Sequence, residues 1–188
     1  MFKIPYANIE KGTLLIASPD LDHGIFSRSV ILLCEHTKEA SFGVILNKPL
    51  DLEISEELGI FFDKSNMEGV RFCMGGPLQA NHMMVLHSNA NCENAIEICS
   101  EVFLGGDANV FQNLNFEMSF QINVCFGFTS WQSGQLEQEF FEGLWFISKA
   151  SKNYVFFNPI EDLWKVILTD MGGKYASISA IPKDLSLN

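Results

Sequence analysis

The chain has 188 residues, of which 47% are hydrophobic, and this is enough apolar material to build the core of one large domain. Twelve basic against 23 acidic side chains give a formal net charge of −11, which repels phosphate backbones and disfavours nucleic acid as a partner. The N-terminus lacks the basic stretch and long apolar run of a secretory signal, and no segment reaches about 18 uninterrupted apolar residues, so we expect a cytoplasmic protein that does not enter a membrane.

The first half of the chain predicts mainly β-strands. Five segments have the continuous apolar run or the two-residue alternation of a strand: residues 13–17, 29–34, 42–46, 70–74 and 82–87. The second and third of these are joined by residues 37–41, and we expect them to form a hairpin. Residues 51–58 predict one or two helical turns, with Asp51 as N-cap and Gly59 just past the end.

The next part of the chain is more ambiguous. Residues 95–99 and 101–104 are too short for periodicity to separate helix from strand. Residues 107–114 predict a helix that follows a glycine-rich turn. Residues 119–127 alternate so clearly that they predict the best-defined strand of the chain, with one face on the core.

The C-terminal part predicts two helices separated by a strand. Ser133 is the expected N-cap of a helix in which Leu136, Phe140 and Leu144 repeat every four residues, and residues 144–147 are expected to begin a strand. The second helix is predicted to start at Asn158 as N-cap and to run to residue 171. This irregular alternation favours a mixed α+β domain built on a bent or partly closed sheet.

Short polar and glycine-containing motifs occur in a fixed order between these elements. They are Leu14-Leu15-Ile16 with Pro19, Phe26 with Arg28-Ser29-Val30, Cys34-Glu35-His36, Asn47-Lys48-Pro49, Gly75-Gly76-Pro77, Val85-Leu86-His87, and Trp131 with Gly134-Gln135-Leu136-Glu137. In this order they resemble the AlgH/YqgE family of bacterial proteins, over about residues 12 to 172. The resemblance implies a single α+β domain over residues 1–188, with a bent, bifurcated or barrel-like mixed β-sheet flanked by helices, and a molecular function that is largely unassigned.

The chain departs from the family pattern in two places. Trp131-Gln132-Ser133 stands where the family usually has Trp-Gly, with Phe128 in place of a tyrosine shortly before it. Residues 176–188 also differ from the usual small-residue ending. If the family binds a ligand through these segments, we expect this member to bind it differently.

Two histidines are the first chemical candidates. His36 and His87 lie on separate predicted strands, and together they would supply a general base or a metal site. Glu35 points to the opposite face of its strand from His36, so the two cannot act together without a bulge. Five scattered cysteines without a C-x-x-C pair fit reduced thiols better than a zinc site. We therefore favour a structural interpretation, in which the histidines form hydrogen bonds across neighbouring turns, and predict no metal and no cofactor.

A second group of candidates surrounds the predicted buried strands. Arg28 beside Ser29 would clamp a carboxylate or phosphate, although pairing with an internal acid such as Glu35 or Glu137 is favoured. Ser29 lacks the surroundings of a hydrolase nucleophile. Asn47 and the pair Gly75-Gly76 are expected to fix turns, and the two glycines also suggest a backbone nest for an anion.

A third candidate lies near the start of the helix that follows Ser133. Trp131 and Gln135 would line a pocket whose amide N–H groups hold a small anion, although a tryptophan in this position is also typical of a core. The two interpretations stay open on the sequence alone.

The sequence therefore favours a non-enzymatic binding or regulatory protein with an unknown protein or small-molecule partner. Its docking surface is predicted near Arg28, His36, Asn47, the Gly75-Gly76 turn and His87. The alternative hypothesis is a small-molecule hydrolase or metal-assisted enzyme that uses the two histidines. A nucleic-acid-associated transcriptional regulator ranks third, because the chain has no helix-turn-helix pattern and no basic recognition surface.

Overall fold

Nine β-strands form one sheet in the computed structural model, which describes residues 9–22, 24–50, 70–105 and 120–182. The strands are β1 (Thr13–Ala17), β2 (Val30–His36), β3 (Ala40–Ile45), β4 (Val70–Met74), β5 (Leu78–His87), β6 (Ile96–Cys99), β7 (Val102–Leu104), β8 (Ile122–Gln132) and β9 (Trp145–Lys149). Their order across the sheet is β6-β7-β5-β8-β3-β2-β1-β9, and every pair along this path is antiparallel. β4 lies off this path and runs parallel to β8.

The sheet forks at the middle of β8. The first part of this strand pairs with β4 and β5, whereas residues from Thr129 onward pair with β3. Gly127 lies at the fork with a φ of +72°, and a Cβ at this position would lie 2.4 Å from the carbonyl oxygen of Gly76. Only glycine adopts this backbone conformation without strain and admits so close a neighbour. The fork bends the sheet into a curled half-barrel within a single domain.

Besides a short 3₁₀ turn at Gly24–Phe26, the described residues contain four helical segments. They are α1 (Gln135–Phe141), a π-helical segment (Asn153–Phe157), α2 (Leu163–Met171) and α3 (Gly173–Ser179). Gly172, with a φ of +69°, redirects the chain between α2 and α3.

Both faces of the central sheet are covered, as the complete burial of β1 shows. Leu14 and Ile16 pack in a cluster that contains Ile167 of α2. Leu15, from the opposite face of β1, packs in a second cluster with Leu136 of α1. Loss of a buried leucine side chain typically costs about 2–5 kcal/mol, so each face contributes substantially to stability.

Most predicted strands are confirmed, and so is the hairpin between β2 and β3. The strand predicted over residues 119–127 begins instead at Ile122 and runs on to Gln132, because its second part pairs with β3 after the fork. The ambiguous segments near residue 100 are the strands β6 and β7. The helices predicted over residues 51–58 and 107–114 lie outside the described residues.

The helix predictions in the C-terminal part need correction. The N-cap residue of α1 is Gly134 and not the predicted Ser133. The Ser133 hydroxyl donates instead to the Lys38 carbonyl at 2.7 Å. α1 also ends before Leu144. The helix predicted to begin at Asn158 begins at Leu163, because the Asn158 carbonyl accepts a hydrogen bond from the Arg71 guanidinium at 2.6 Å and the side chain bonds back to Asn153.

Candidate functional site

Asn47 ties together the two chain segments that flank the start of β2. Its side-chain oxygen accepts the Val30 N–H at 2.7 Å, and its side-chain nitrogen donates to the Arg28 carbonyl at 2.8 Å. Asn47 is 6% exposed, so both polar atoms are used inside the protein. Arg28 has a φ of +52°, which the bonds from Asn47 hold in place. The predicted binding residue Asn47 therefore braces the turn before β2.

The Arg28 side chain reaches the end of the described chain. Its guanidinium donates to the carbonyls of Ile181 and Pro182 at 2.7 and 2.5 Å and lies over the Trp164 ring, 4.7 Å from its centroid. These partners replace the carboxylates of Glu35 or Glu137, so the predicted internal ion pair is wrong. Arg28 fixes the segment after α3, and the neighbouring Ser29 is fully buried, so its hydroxyl cannot act as an exposed nucleophile.

The two histidines lie at opposite ends of β8. His36 pairs with Ser41, which is opposite Trp131, whereas His87 is opposite Ile122. Ile122 and Trp131 are nine positions apart on one strand, which corresponds to about 30 Å along the chain at about 3.3 Å per residue. The alternative hypothesis of a shared histidine site does not fit this separation.

Each histidine has its own local partners. The His36 Nδ1 lies 2.7 Å from the Ser41 hydroxyl, and its Nε2 lies 3.9 Å from a carboxylate oxygen of Glu137. His87 is buried, stacks on Phe103 and accepts the Asn89 N–H at 3.2 Å through Nδ1. Burial lowers the pKa of His87, because the charged imidazolium loses its hydration. The predicted hydrogen bond between turns is thus replaced by hydrogen bonds to Ser41 and Asn89, which are close in sequence to their histidines.

The Gly75-Gly76 turn packs directly against β8. The Gly75 N–H donates to the Phe126 carbonyl at 2.7 Å, and the Gly75 carbonyl accepts the Ile45 N–H at 2.8 Å. A Cβ on Gly76 would lie 2.2 Å from the Phe128 carbonyl carbon. Because the Gly75 N–H is already used within the sheet, the suggested anion nest is not formed there. The turn instead places the following Pro77 and Leu78 at the edge of a cavity.

This cavity, of about 300 Å³, is the best-defined pocket among the described residues. Most of its wall is apolar, and the apolar side chains are Leu21, Phe26, Pro77, Leu78, Leu144 and the two tryptophans Trp131 and Trp145. The polar residues of its lining are Thr129, Ser130, Gln135 and Glu139. The volume is at the lower end of the range of small-molecule sites, and such sites have mostly apolar walls with a few polar groups.

Glu139 is the polar centre of the cavity. One of its carboxylate oxygens accepts the indole N–H groups of both Trp131 and Trp145 at 2.8 Å, and the other accepts the side-chain N–H of Gln135 at 2.9 Å. The Gln135 oxygen in turn accepts the Gln132 N–H at 3.1 Å. A carboxylate at this position repels an anion, so the anion predicted for Trp131 and Gln135 does not fit the pocket.

Sequence reasoning thus found two side chains of the cavity and missed its centre. Trp131 and Gln135 were candidates, but Glu139, Trp145 and Phe26 were not. A signal for Glu139 was present, because it follows Gln135 by four residues and positions i and i+4 are neighbours on a helix. Trp145 and Phe26 carry no comparable signal, since β9 and the 3₁₀ turn are brought to the cavity only by the tertiary fold.

Nothing in the described ranges resembles a metal centre, since no three His, Cys, Asp or Glu side chains are grouped to hold an ion. All five cysteines are free thiols, and burial raises the pKa of Cys34 to about 12. Within the same ranges, no helix combines the length and the apolar composition needed to cross a membrane.

The fold and the cavity define a class of protein: a single α+β domain with a forked half-barrel sheet and a small aromatic pocket beside a short helix. A family model described as "DUF179: AlgH-like" matches residues 14–176. The chain belongs to this AlgH-like family.

Relatives confirm the assignment over the whole length. A UPF0301 protein of Chlamydia abortus is 56% identical over 190 residues, with 100% of both chains covered. A UPF0301 protein of Pelodictyon phaeoclathratiforme is 32% identical over 187 residues, covering 97% of this chain and 98% of the relative. The solution structure of the AlgH protein from Pseudomonas aeruginosa has a TM-score of 0.70 at 23% identity, covering 92% of this chain and 94% of that one. The last similarity is one of fold.

Proposed function

We propose that this protein is a binding or regulatory protein, and that its ligand occupies the cavity centred on Glu139. The observation that carries the proposal is the convergence of two indole N–H groups and one amide N–H on a single carboxylate inside an apolar pocket. Such an arrangement fixes the position of a polar group before a ligand arrives. Preorganisation of this kind reduces the cost of binding.

The proposed binding site differs from the docking surface that the sequence predicts. Asn47 uses both polar atoms of its side chain on backbone groups, and Nη2 of Arg28 donates to two backbone carbonyls, so both side chains have internal structural roles. The cavity keeps Trp131, Gln135 and the turn that contains Gly75 and Gly76, which positions Pro77. The binding role is therefore retained while its location becomes the pocket beside α1.

Binding is favoured over catalysis by the composition of the pocket. Glu139 is the one ionisable side chain among the described residues that line it. General acid–base catalysis commonly pairs two titratable groups with different pKa values, and nucleophilic catalysis needs a nucleophile beside a base. The hydroxyls of Thr129 and Ser130 have no histidine or second carboxylate beside them among the lining residues.

The proposal is tested by screening a fragment library of small amines, acids and neutral compounds at millimolar concentration. The readout is the ¹H–¹⁵N NMR signals of the indole groups. Binding in the cavity shifts the signals of Trp131 and Trp145. Trp164 is an internal control, because its indole N–H donates to the Ala17 carbonyl at 2.8 Å in the cluster on the other face of the sheet.

A matched pair of variants connects the shifts to the cavity. Gln135→Phe places a ring at a lining position of α1 and should abolish the shifts, whereas Gln138→Phe adds the same ring three residues away on the same helix, outside the lining, and should preserve them. The proposal is wrong if no fragment shifts the two indole signals, or if the shifts persist unchanged in Gln135→Phe.

A further inference from the structure

We propose that the cavity recognises an ammonium group carried on an apolar stem, either as a free amine or as the side chain of a lysine on a partner. This inference rests on the proposed binding function and adds the chemical class of the ligand. It is carried by the charge, the free acceptor capacity and the aromatic surroundings of Glu139.

Glu139 has no cationic partner among the residues that the structure describes. Within the described ranges, no lysine, arginine or histidine nitrogen lies within 4.0 Å of its carboxylate, and its three hydrogen-bond donors are all neutral. Its negative charge is therefore hydrogen-bonded but not neutralised by these donors. A ligand cation would neutralise the charge, whereas a neutral ligand would not.

The carboxylate also keeps room for one more donor. Two oxygens offer about four acceptor positions, and three of these are used by Trp131, Trp145 and Gln135. The oxygen that accepts from Gln135 alone has an acceptor position left. An ammonium group supplies both the charge and the N–H donor that this position requires.

Three aromatic side chains surround the same space. Trp145 lies edge-to-face with Phe26 at 6.4 Å and with Trp131 at 6.3 Å between ring centroids, and all three line the cavity. Aromatic rings beside a carboxylate are the chemistry of the aromatic cages that bind ammonium groups. The apolar lining residues Leu21 and Leu144 accommodate the stem.

The ion pair and the aromatic contacts together should give a measurable preference for an ammonium ligand over a neutral one. An exposed ion pair alone contributes little to affinity. The aromatic contacts add to it, so together they give an expected advantage of about tenfold for an ammonium over a neutral isostere, or about 1.4 kcal/mol. The net charge of −11 also raises the local concentration of cations at low salt.

The first test measures the wild-type protein against benzylammonium and its neutral isostere benzyl alcohol, with the indole signals of Trp131 and Trp145 as the readout. We expect the ammonium to bind about tenfold more tightly, with an affinity that falls as salt is added. Equal affinity for the two compounds overturns the inference while the binding function stands. If neither compound nor any other fragment binds, the proposed function itself fails.

A pair of variants tests the role of the carboxylate. Glu139→Gln should abolish the tenfold preference, whereas Glu142→Gln should preserve it. The second variant is a matched control, because Glu142 is on the same helical region and accepts from Gln138 in the same four-residue spacing, but does not line the cavity. Retention of the preference in Glu139→Gln contradicts the inference. If this variant fails to fold, the wild-type comparison still decides.

Two further compounds distinguish the sources of the ammonium. N-acetyl-lysine N-methylamide represents a lysine side chain on a partner, and its Nε-acetylated form removes the charge while it keeps the stem. Tighter binding of the lysine compound than of benzylammonium indicates a protein partner, and the reverse order indicates a free amine. Equal binding of the lysine compound and its acetylated form, alongside no preference for benzylammonium, refutes the ammonium.

Discussion

The Glu139 carboxylate should also hold the cavity wall together, so its removal should destabilise the fold. In Glu139→Ala, the indole N–H groups of Trp131 and Trp145 lose their shared acceptor, and both side chains are only 4% exposed. A hydrogen bond to a charged group contributes about 1.5–3 kcal/mol, so two of them give about 3–6 kcal/mol. Water that enters the cavity can satisfy part of this demand, so we take the lower end, about 3 kcal/mol.

The measurement is urea unfolding followed by tryptophan fluorescence, for the wild type and for three variants. Glu139→Ala should lose about 3 kcal/mol of unfolding free energy, which corresponds to about 6–12 °C in Tm for a domain of this size. Glu139→Gln should recover more than half of the loss, because the amide oxygen still accepts. Glu142→Ala, on the exposed part of the same helical region, should change stability by less than about 0.5 kcal/mol.

The reasoning is refuted if Glu139→Ala unfolds at the same urea concentration as Glu142→Ala. Such a result would mean that the two indole N–H groups find equally good partners without the carboxylate. It would also weaken the proposed binding site, since the carboxylate would then not be held by its neighbours.

Three other predictions follow from the geometry. Asn47→Ala should lose about 2–3 kcal/mol of unfolding free energy in urea, because the buried Val30 N–H and Arg28 carbonyl lose their partners, while ligand shifts at the cavity stay unchanged. Gly76→Ala should destabilise the protein by about 3 kcal/mol or more, since its Cβ would overlap the Phe128 carbonyl; a variant as stable as the wild type in thermal unfolding would contradict this close approach. The lowered pKa of His87 in the folded protein means that the unfolded chain binds a proton first, so stability should fall as pH decreases below about 6.5, and His87→Gln should flatten this part of a pH series of urea midpoints.

The amino-acid sequence by itself determined most of the strands, because burial on one or both faces is written in local alternation or in continuous apolar runs. β2, β3 and β4 were predictable in this way. The order of the family motifs also carried the fold class and the family. The residues of each strand pattern or motif lie within a few positions of each other in the chain, so these patterns do not depend on which distant segments meet.

The helix near Asn158 shows why local signals failed elsewhere. An asparagine followed by a proline predicts a helix start, but the Arg71 side chain from β4 donates to the carbonyls of Val155 and Asn158. Asn123 of β8 also donates to Val155, at 2.7 Å. These partners, more than 30 residues away in sequence, hold the segment in another conformation and delay the helix to Leu163.

The candidate site was likewise predictable only in part from the sequence. The sequence indicated Trp131 and Gln135 as possible pocket residues, since both lie where a strand passes into a helix. Only the tertiary structure brought Trp145 and Phe26 to them, because Trp145 is placed by the pairing of β9 with β1 and Phe26 packs against Trp145 from the 3₁₀ turn. It likewise turned Arg28 toward carbonyls about 150 residues away, in place of the internal acid that the sequence favoured as its partner.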